Sequence, residues 1–247
     1  SPSTASRPGD VIRVYGLELH LAQDLYVGEV KAESFRLISD RILEFTHPAG
    51  SIGGRVKLVT AAGSEALSPD SIVLGREILV HNFNEGATLN HFINWSANGN
   101  MGPTDAITHT DRGFPFGRYI TIPIVDRATG WGGNFDLFLQ NMPNEDHARG
   151  YLYVEIMVSK RINVNVMVQN PANVFGRTFQ QLEPNVWNQI RLPFAEMGTG
   201  YGSTEPFGAV PPFNTLTAVK IQPDARAVDG NFGQTVSLEN VKLVIVD

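Results

Sequence analysis

The sequence predicts an all-β protein, a small sandwich followed by a larger jelly-roll β-sandwich, from three observations. Val, Ile, Thr and Phe fall in short runs, 24 Gly and 15 Pro punctuate them, and no helical period persists beyond a turn or two. At 247 residues the chain is long enough for two cores. We place the domains at residues 1–74 and 75–247.

In the first domain, PGDVIRVYGLEL sets Val11, Arg13 and Tyr15 opposite Ile12 and Val14 and turns at Gly16. DLYVGEVKAESFRLISDRILEFTHPAG gives three more strands, with turn signals at Gly28, Ser39-Asp40 and Pro48-Ala49-Gly50. GGRVKLVTAAGSEALSP adds a strand, and this spacing suits a small sandwich. The second domain opens near Ser68-Pro69-Asp70. Its strands are expected in EILVHNF, RYITIPIV, NFDLFLQN, YLYVEIMV, INVNVMVQ, TFQQL, NQIRLPF, TAVKIQPD and VSLENVKLVIV. The stretches from Gly86 to Arg118 and from Met197 to Pro212 are too long for simple connections, so they are expected to build a site.

Composition narrows the function classes. The net charge is −6 and Lys and Arg are scattered, which excludes the basic stripe that nucleic acid or an anionic membrane requires. No cysteine is present, so disulfides, thiolate metal sites and Cys nucleophiles are excluded. No run is apolar for long enough to span a bilayer as a helix. The polar opening SPSTASRPGD differs from a signal segment, and the chain is expected to be a processed piece whose signal or lipid anchor is not in it.

The residues 151–170, YLYVEIMVSKRINVNVMVQN, carry the functional question. Leu152, Val154, Ile156 and Val158 alternate along one side, as do Ile162, Val164, Val166 and Val168. The other side carries Tyr151, Tyr153, Glu155 and Met157, then Asn163, Asn165, Met167 and Gln169. With a turn at Ser159-Lys160-Arg161, Glu155 is expected beside Asn165, Tyr153 beside Met167 and Tyr151 beside Gln169, on a single surface. Such a surface suits a sugar, because pyranose C–H patches pack on aromatic rings while hydroxyls take hydrogen bonds from amides and carboxylates. An ordinary solvated sheet face is the plainer alternative, although Asn is depleted in strands.

Other residues extend this surface. Trp95 in NWSANGN and Trp131 in ATGWGGN sit in polar, glycine-containing stretches outside any apolar repeat, and either stacks on ligand or caps the sandwich. Trp187, Gln189 and Arg191 alternate with Asn188, Ile190 and Leu192, so the same face can continue there, with packing at a strand end as the alternative for Trp187. Tyr201 and Phe207, and less strongly Phe114 and Phe116, are candidate ligand covers.

Two resemblances add to this reading. The ordered pieces PGD, GL, GEV, SDR, PAG, VKLVT and AAG over about residues 5–74 resemble the immunoglobulin-like IPT/TIG domain. In extracellular bacterial proteins that domain usually acts as a spacer, which implies no chemistry for Tyr15, Tyr26 and His47. VWNQIRLPFAEM, LTAVKIQPDA and VSLENVKLVIVD are similar to the closing strands of jelly-roll carbohydrate-binding modules. The whole order resembles the surface glycan-binding lipoproteins of bacterial polysaccharide-utilisation loci. Glu239 stands where those modules often have Asp, which weakens the case for carrying over a structural calcium ion; the ion is left open but not predicted, and no cofactor is expected.

The catalytic alternative lacks a motif. Glycoside hydrolysis generally needs two carboxylates flanking the bond, and Glu155 shows no acidic neighbour on its face, while Glu145 and Asp146 precede the strand. His109-Thr110-Asp111 has no metal-ligand spacing. The expectation is a non-catalytic binder of polysaccharide or oligosaccharide at the cell surface of an outer membrane. As the resemblance implies, it would work with glycan-transport partners. The ligand is expected to be neutral, with Arg161, Arg191 and Lys220 as the residues that would meet a uronate instead. A β-sandwich lyase or hydrolase and a protein-binding adhesion module stay open as alternatives.

Overall fold

The computed structural model describes residues 5–81, 83, 92–94, 108–113, 117–124, 134–139, 142–144, 149–179, 181–199, 213–223 and 233–247. Trp95, Phe114, Phe116, Trp131, Glu145, Asp146, Tyr201 and Phe207 lie outside the described residues. The chain is nearly all β. It divides into two compact units: Ser1–Ile78 with Val244–Asp247, and Leu79–Leu243. The division expected at residue 74 omits this returning tail.

The smaller unit holds β1 (Ala5–Ser6), β2 (Val11–Tyr15), β3 (Ala22–Val27), β4 (Val30–Lys31), β5 (Phe35–Ser39), β6 (Ile42–Thr46), β7 (Gly53–Thr60) and the part of β8 (Glu65–His81) up to Ile78. One antiparallel sheet runs β2-β6-β5. In the other, β7 lies between β3 and β8, and β4 pairs with β3. β1 adds in parallel, with Ala5 opposite Val73. The alternation expected in VIRVY holds: Ile12 is 2% exposed and Val11 63%. Ile12 joins Leu25, Val27, Leu43, Phe45, Val56 and Ile72 in one apolar core. The tail is fastened to this unit, since the Asp247 amide donates to the Leu74 carbonyl at 3.0 Å and Arg7 Nε donates to the Asp247 carboxylate at 2.8 Å.

Two details of the smaller unit give testable results. Gly75 has φ +155°, and a Cβ there would overlap the Ile245 carbonyl oxygen. Gly75→Ala is therefore expected to cost about 1–3 kcal/mol through overpacking and backbone strain, read as a lower urea midpoint at unchanged slope. His47 is buried, with Nδ1 2.6 Å from Ser6 Oγ and Nε2 unpartnered. Burial pushes its pKa below the ordinary 6.5, against a smaller opposing effect of Asp10. The unfolded chain thus takes up a proton at His47 before the folded one, and stability should fall as pH drops below about 6.5. Urea midpoints from pH 7.5 to 5 should show this slope, and His47→Gln should flatten it.

The larger unit contains β9 (Phe92–Asn94), β10 (Thr108–Gly113), β11 (Gly117–Pro123), β12 (Phe135–Phe138), β13 (Tyr151–Val158), β14 (Val164–Gln169), β15 (Val174–Phe179), β16 (Asn188–Pro193), β17 (Gly198–Thr199), β18 (Ala218–Pro223) and most of β19 (Thr235–Val246). One sheet runs β10-β11-β19-β13-β16 and the other β17-β15-β14-β18-β12-β9. Their inner faces form the sandwich core. Leu152, Val154, Ile156, Val158, Ile120, Ile122 and Leu238 come from the first; Val164, Val166, Val168, Phe135, Leu137, Val219 and Ile221 come from the second. β9 and β10 fall inside the stretch from Gly86 to Arg118 expected to be loop. The signal was missing because Thr108–Gly113, THTDRG, has no apolar alternation.

The expected hairpin does not form. β13 pairs with β16 and β19, whereas β14 pairs with β15 and β18 in the other sheet. Residues 159–163 carry the chain from one layer to the other. The backbone groups that a hairpin turn would use are taken by other segments: the Val158 carbonyl accepts from Asn185, the Ser159 amide donates to Thr235, and the Ile162 carbonyl accepts from Leu182. The two apolar sides therefore meet across the core, and the two polar sides end on opposite outer faces.

Candidate functional site

The outer face of the six-stranded sheet carries a polar row that crosses four strands. Asn165 lies opposite Thr178 on one side and Gln222 on the other. Thr178 Oγ1 donates to Asn165 Oδ1 at 2.6 Å, Asn165 Nδ2 to Gln222 Oε1 at 2.7 Å, and Gln222 Nε2 to Asn134 Oδ1 at 3.0 Å. In the next register row Lys220 lies between Asp136 and Met167, and its ammonium donates to Asp136 Oδ2. Asn134, Asp136, Asn165, Lys220 and Gln222 are all buried. Buried polar groups persist when paired, and this pairing also fixes the plane of each amide. Each link uses only one amide hydrogen, so Asn165, Gln222 and the Lys220 ammonium keep further donor capacity.

The outer face of the five-stranded sheet carries a different cluster. Arg112 Nη1 donates to Glu155 Oε2 at 2.6 Å and to Glu239 Oε2 at 2.7 Å. Tyr153 donates its hydroxyl to Glu155 Oε1 at 2.7 Å. The Arg112 guanidinium stacks 4.4 Å from the Trp187 ring centre, and Trp187 meets Tyr119 edge-on at 5.2 Å and 77°. Lys242 lies 5.9 Å over the Tyr153 ring. It reaches this face because Asn240, at φ +49°, interrupts the alternation of β19 after Glu239. Burial pushes the Glu239 carboxyl above its ordinary pKa, and the hydrogen bond and charge of Arg112 oppose the rise. Glu239 Oε1 is buried without a hydrogen-bond partner.

The residues expected on one surface thus divide. Tyr151, Tyr153, Glu155, Trp187, Gln189 and Arg191 belong to the five-stranded layer, and Asn163, Asn165 and Gln169 to the six-stranded one. Tyr153, Glu155 and Asn165 are all buried, so none of them is an open platform. Asn163 Oδ1 is taken up by the Gln181 backbone and side-chain amides, and Gln169 is half-buried. Glu155, expected without an acidic neighbour on its face, shares Arg112 with Glu239. That pairing was missed because β10, β13 and β19 are brought together only by the fold. Lys220 and Gln222 were legible as polar positions alternating with Val219 and Ile221 in β18, but Asn134 and Asp136 became site residues only through register.

Three of the loop aromatics attach by sequence to the six-stranded sheet. Trp95 directly follows β9, Trp131 precedes Asn134 by three residues, and Tyr201 follows β17 by two. Among the described residues no group of three or more His, Asp or Glu side chains is placed to hold a metal ion. Among them, no helix is long and apolar enough to cross a membrane. A cleft of about 360 Å³ lies in the smaller unit, lined by Val14, Leu19, Leu58 and Leu67 together with Tyr15, Thr60 and Glu65.

No family model matches the sequence, and no curated protein matches it. Solved structures similar to the chain include SGBP-B from a complex xyloglucan utilization locus in Bacteroides uniformis. It is 16% identical, with 99% of this chain and 71% of that one covered and a TM-score of 0.43. A family 11 carbohydrate-binding module from Clostridium thermocellum, in complex with a β-1,3-1,4-mixed-linked tetrasaccharide, is 9% identical over 69% of this chain and 96% of its own, with a TM-score of 0.44. A family 30 carbohydrate-binding module is 10% identical over 70% and 89%, with a TM-score of 0.49.

Proposed function

We propose that the larger unit binds a polysaccharide without turning it over, on the outer face of its six-stranded sheet. The observation that carries this reading is the chain of side-chain hydrogen bonds from Thr178 through Asn165 and Gln222 to Asn134, beside the Lys220–Asp136 pair. Mutual bonding fixes these groups, and because all but the half-buried Thr178 are buried they would act as a rigid floor beneath a hydroxyl-rich ligand and lower its ordering cost. Trp95, Trp131 and Tyr201, next in sequence to strands of this sheet, would supply the stacking surfaces. Binding without catalysis is supported on the other face, where both Glu155 and Glu239 are held by Arg112 and neither is disposed as an exposed acid or base. We extend the proposal to display at a bacterial outer membrane, with the immunoglobulin-like unit as spacer and glycan-transport proteins as partners.

Affinity electrophoresis through plant, algal and microbial glycans tests this. Retardation by at least one polysaccharide is expected, with a Kd between micromolar and millimolar, about 4–8 kcal/mol. Trp131→Ala and the double variant Asn165→Ala/Gln222→Ala should each weaken it about tenfold or more while melting cooperatively. Free migration of the wild type through every glycan would overturn the reading.

A further inference from the structure

The cluster on the opposite layer is costly to build and has a definite outermost surface. Exposure rises outward through it. The Glu155 and Glu239 side chains are 3% and 0% exposed, the Arg112 side chain is 18% exposed, and Trp187 is half-buried. The carboxylates therefore form a floor, the guanidinium lies on them, and the indole lies on the guanidinium. Both carboxylates contact the same Arg112 nitrogen. Stacking below and the Tyr119 edge beside it fix the plane of the ring. An indole held this way loses little freedom on meeting a ligand.

Polar groups of the kind a sugar needs continue from that ring. Trp187 directly precedes β16, Gln189 and Arg191 take alternate positions within it, and both are exposed. Cross-strand pairing sets Gln189 opposite Glu155 and Arg191 opposite Tyr153, so both side chains stand over the same face as the cluster. Two residues of strand advance by about 7 Å, so the amide and the guanidinium follow one another along the face, with the ring at the residue just before the strand. A fixed aromatic plane followed by an amide and a five-donor guanidinium matches a row of pyranose rings, whose C–H faces pack and whose hydroxyl oxygens accept.

We propose that Trp187, Gln189 and Arg191 form a second glycan-binding surface, on the layer opposite the polar row, so that one unit engages two stretches of polysaccharide. The proposal rests on the reading of the chain as a glycan binder and goes beyond it in number and place of sites. Two weak surfaces on one body raise apparent affinity for a long chain without any new contact at either. The second surface is specific to polymers in its effect, because a short oligosaccharide occupies one layer at a time.

The test uses native gels containing soluble xyloglucan, mixed-linkage β-glucan, galactomannan or polygalacturonate, and the full chain in four forms. These are wild type, Gln189→Ala/Arg191→Ala, Asn165→Ala/Gln222→Ala, and the quadruple combination. With a glycan that retards the wild type, Gln189→Ala/Arg191→Ala should raise the apparent Kd by about fivefold or more. Asn165→Ala/Gln222→Ala should keep residual retardation that the quadruple variant loses. Trp187→Phe, which retains an aromatic ring over Arg112, should fall between wild type and Gln189→Ala/Arg191→Ala. If the wild type is retarded and Gln189→Ala/Arg191→Ala changes nothing in either background, the second surface is overturned while glycan binding stands. If no glycan retards the wild type, the underlying reading fails and the second surface fails with it.

Discussion

Arg112→Met is expected to destabilise the larger unit by roughly 3–5 kcal/mol, because it leaves two buried carboxylates facing each other without their shared cation. The mechanism predicts its own partial rescue. The Glu239 carboxyl is already pushed upward by burial. The unfolded chain gives up that proton near the ordinary value of 4.5 while the folded chain retains it to higher pH. Stability from this group is therefore fully present below about pH 4.5 and falls as pH rises. Removing Arg112 removes the interaction that opposes the rise, so the loss in Arg112→Met should be largest near neutral pH and smaller near pH 4.5. Glu239→Gln added to Arg112→Met should recover part of it at pH 7. Urea denaturation of the wild type and these two variants at both pH values reads this directly. A loss that is the same at both would mean that Arg112 acts by packing on Trp187 and not by charge.

The second large effect is expected at the polar row. Lys220 and Asp136 are both buried and bound to each other. Lys220→Met should cost roughly 3–5 kcal/mol, since it removes the ammonium that offsets a buried carboxylate. Lys220→Met/Asp136→Leu should regain most of that, because replacing both members of a buried pair by apolar groups of similar volume is often neutral. The double variant then separates stability from function. If the pair takes part in gripping glycan, the repaired protein melts like the wild type but migrates freely through a glycan that retards the wild type. Retained retardation at restored stability would confine the pair to a structural role and move the contact to the amides of Asn165 and Gln222.

The sandwich class was legible because it depends on alternation, which each strand carries within itself. Leu152 to Val158 and Ile162 to Val168 announce a buried side without reference to any other part of the chain. What failed was pairing. Two consecutive strands joined by five residues suggest a hairpin, and no residue in Ser159–Asn163 forbids one; in the fold, Asn185, Thr235 and Leu182 bond the backbone of Val158, Ser159 and Ile162, and β14 lies in the other layer. Every inference about which polar residues share a surface depended on that pairing, so Glu155 and Asn165 were joined when they lie in different sheets. The same gap hid Arg112, which sits in the strand THTDRG and acquires its meaning from carboxylates 43 and 127 residues away. Asn165 stood out in the sequence as an amide unusual in a strand, but its bonded neighbours Gln222 and Thr178 required the register.

The return of Val244–Asp247 to the smaller unit has a consequence for how the protein is made. These four residues leave the ribosome only after all of the larger unit, so the first 78 residues emerge early yet wait for their last strand and for the partner of Arg7. Until then β8 offers Leu74 and Gly75 to any passing extended segment. The larger unit is, in covalent terms, an insertion: a protease nick in the first crossing cuts residues 1–78 covalently from the rest, and only the non-covalent docking of Val244–Asp247 then holds the two pieces together.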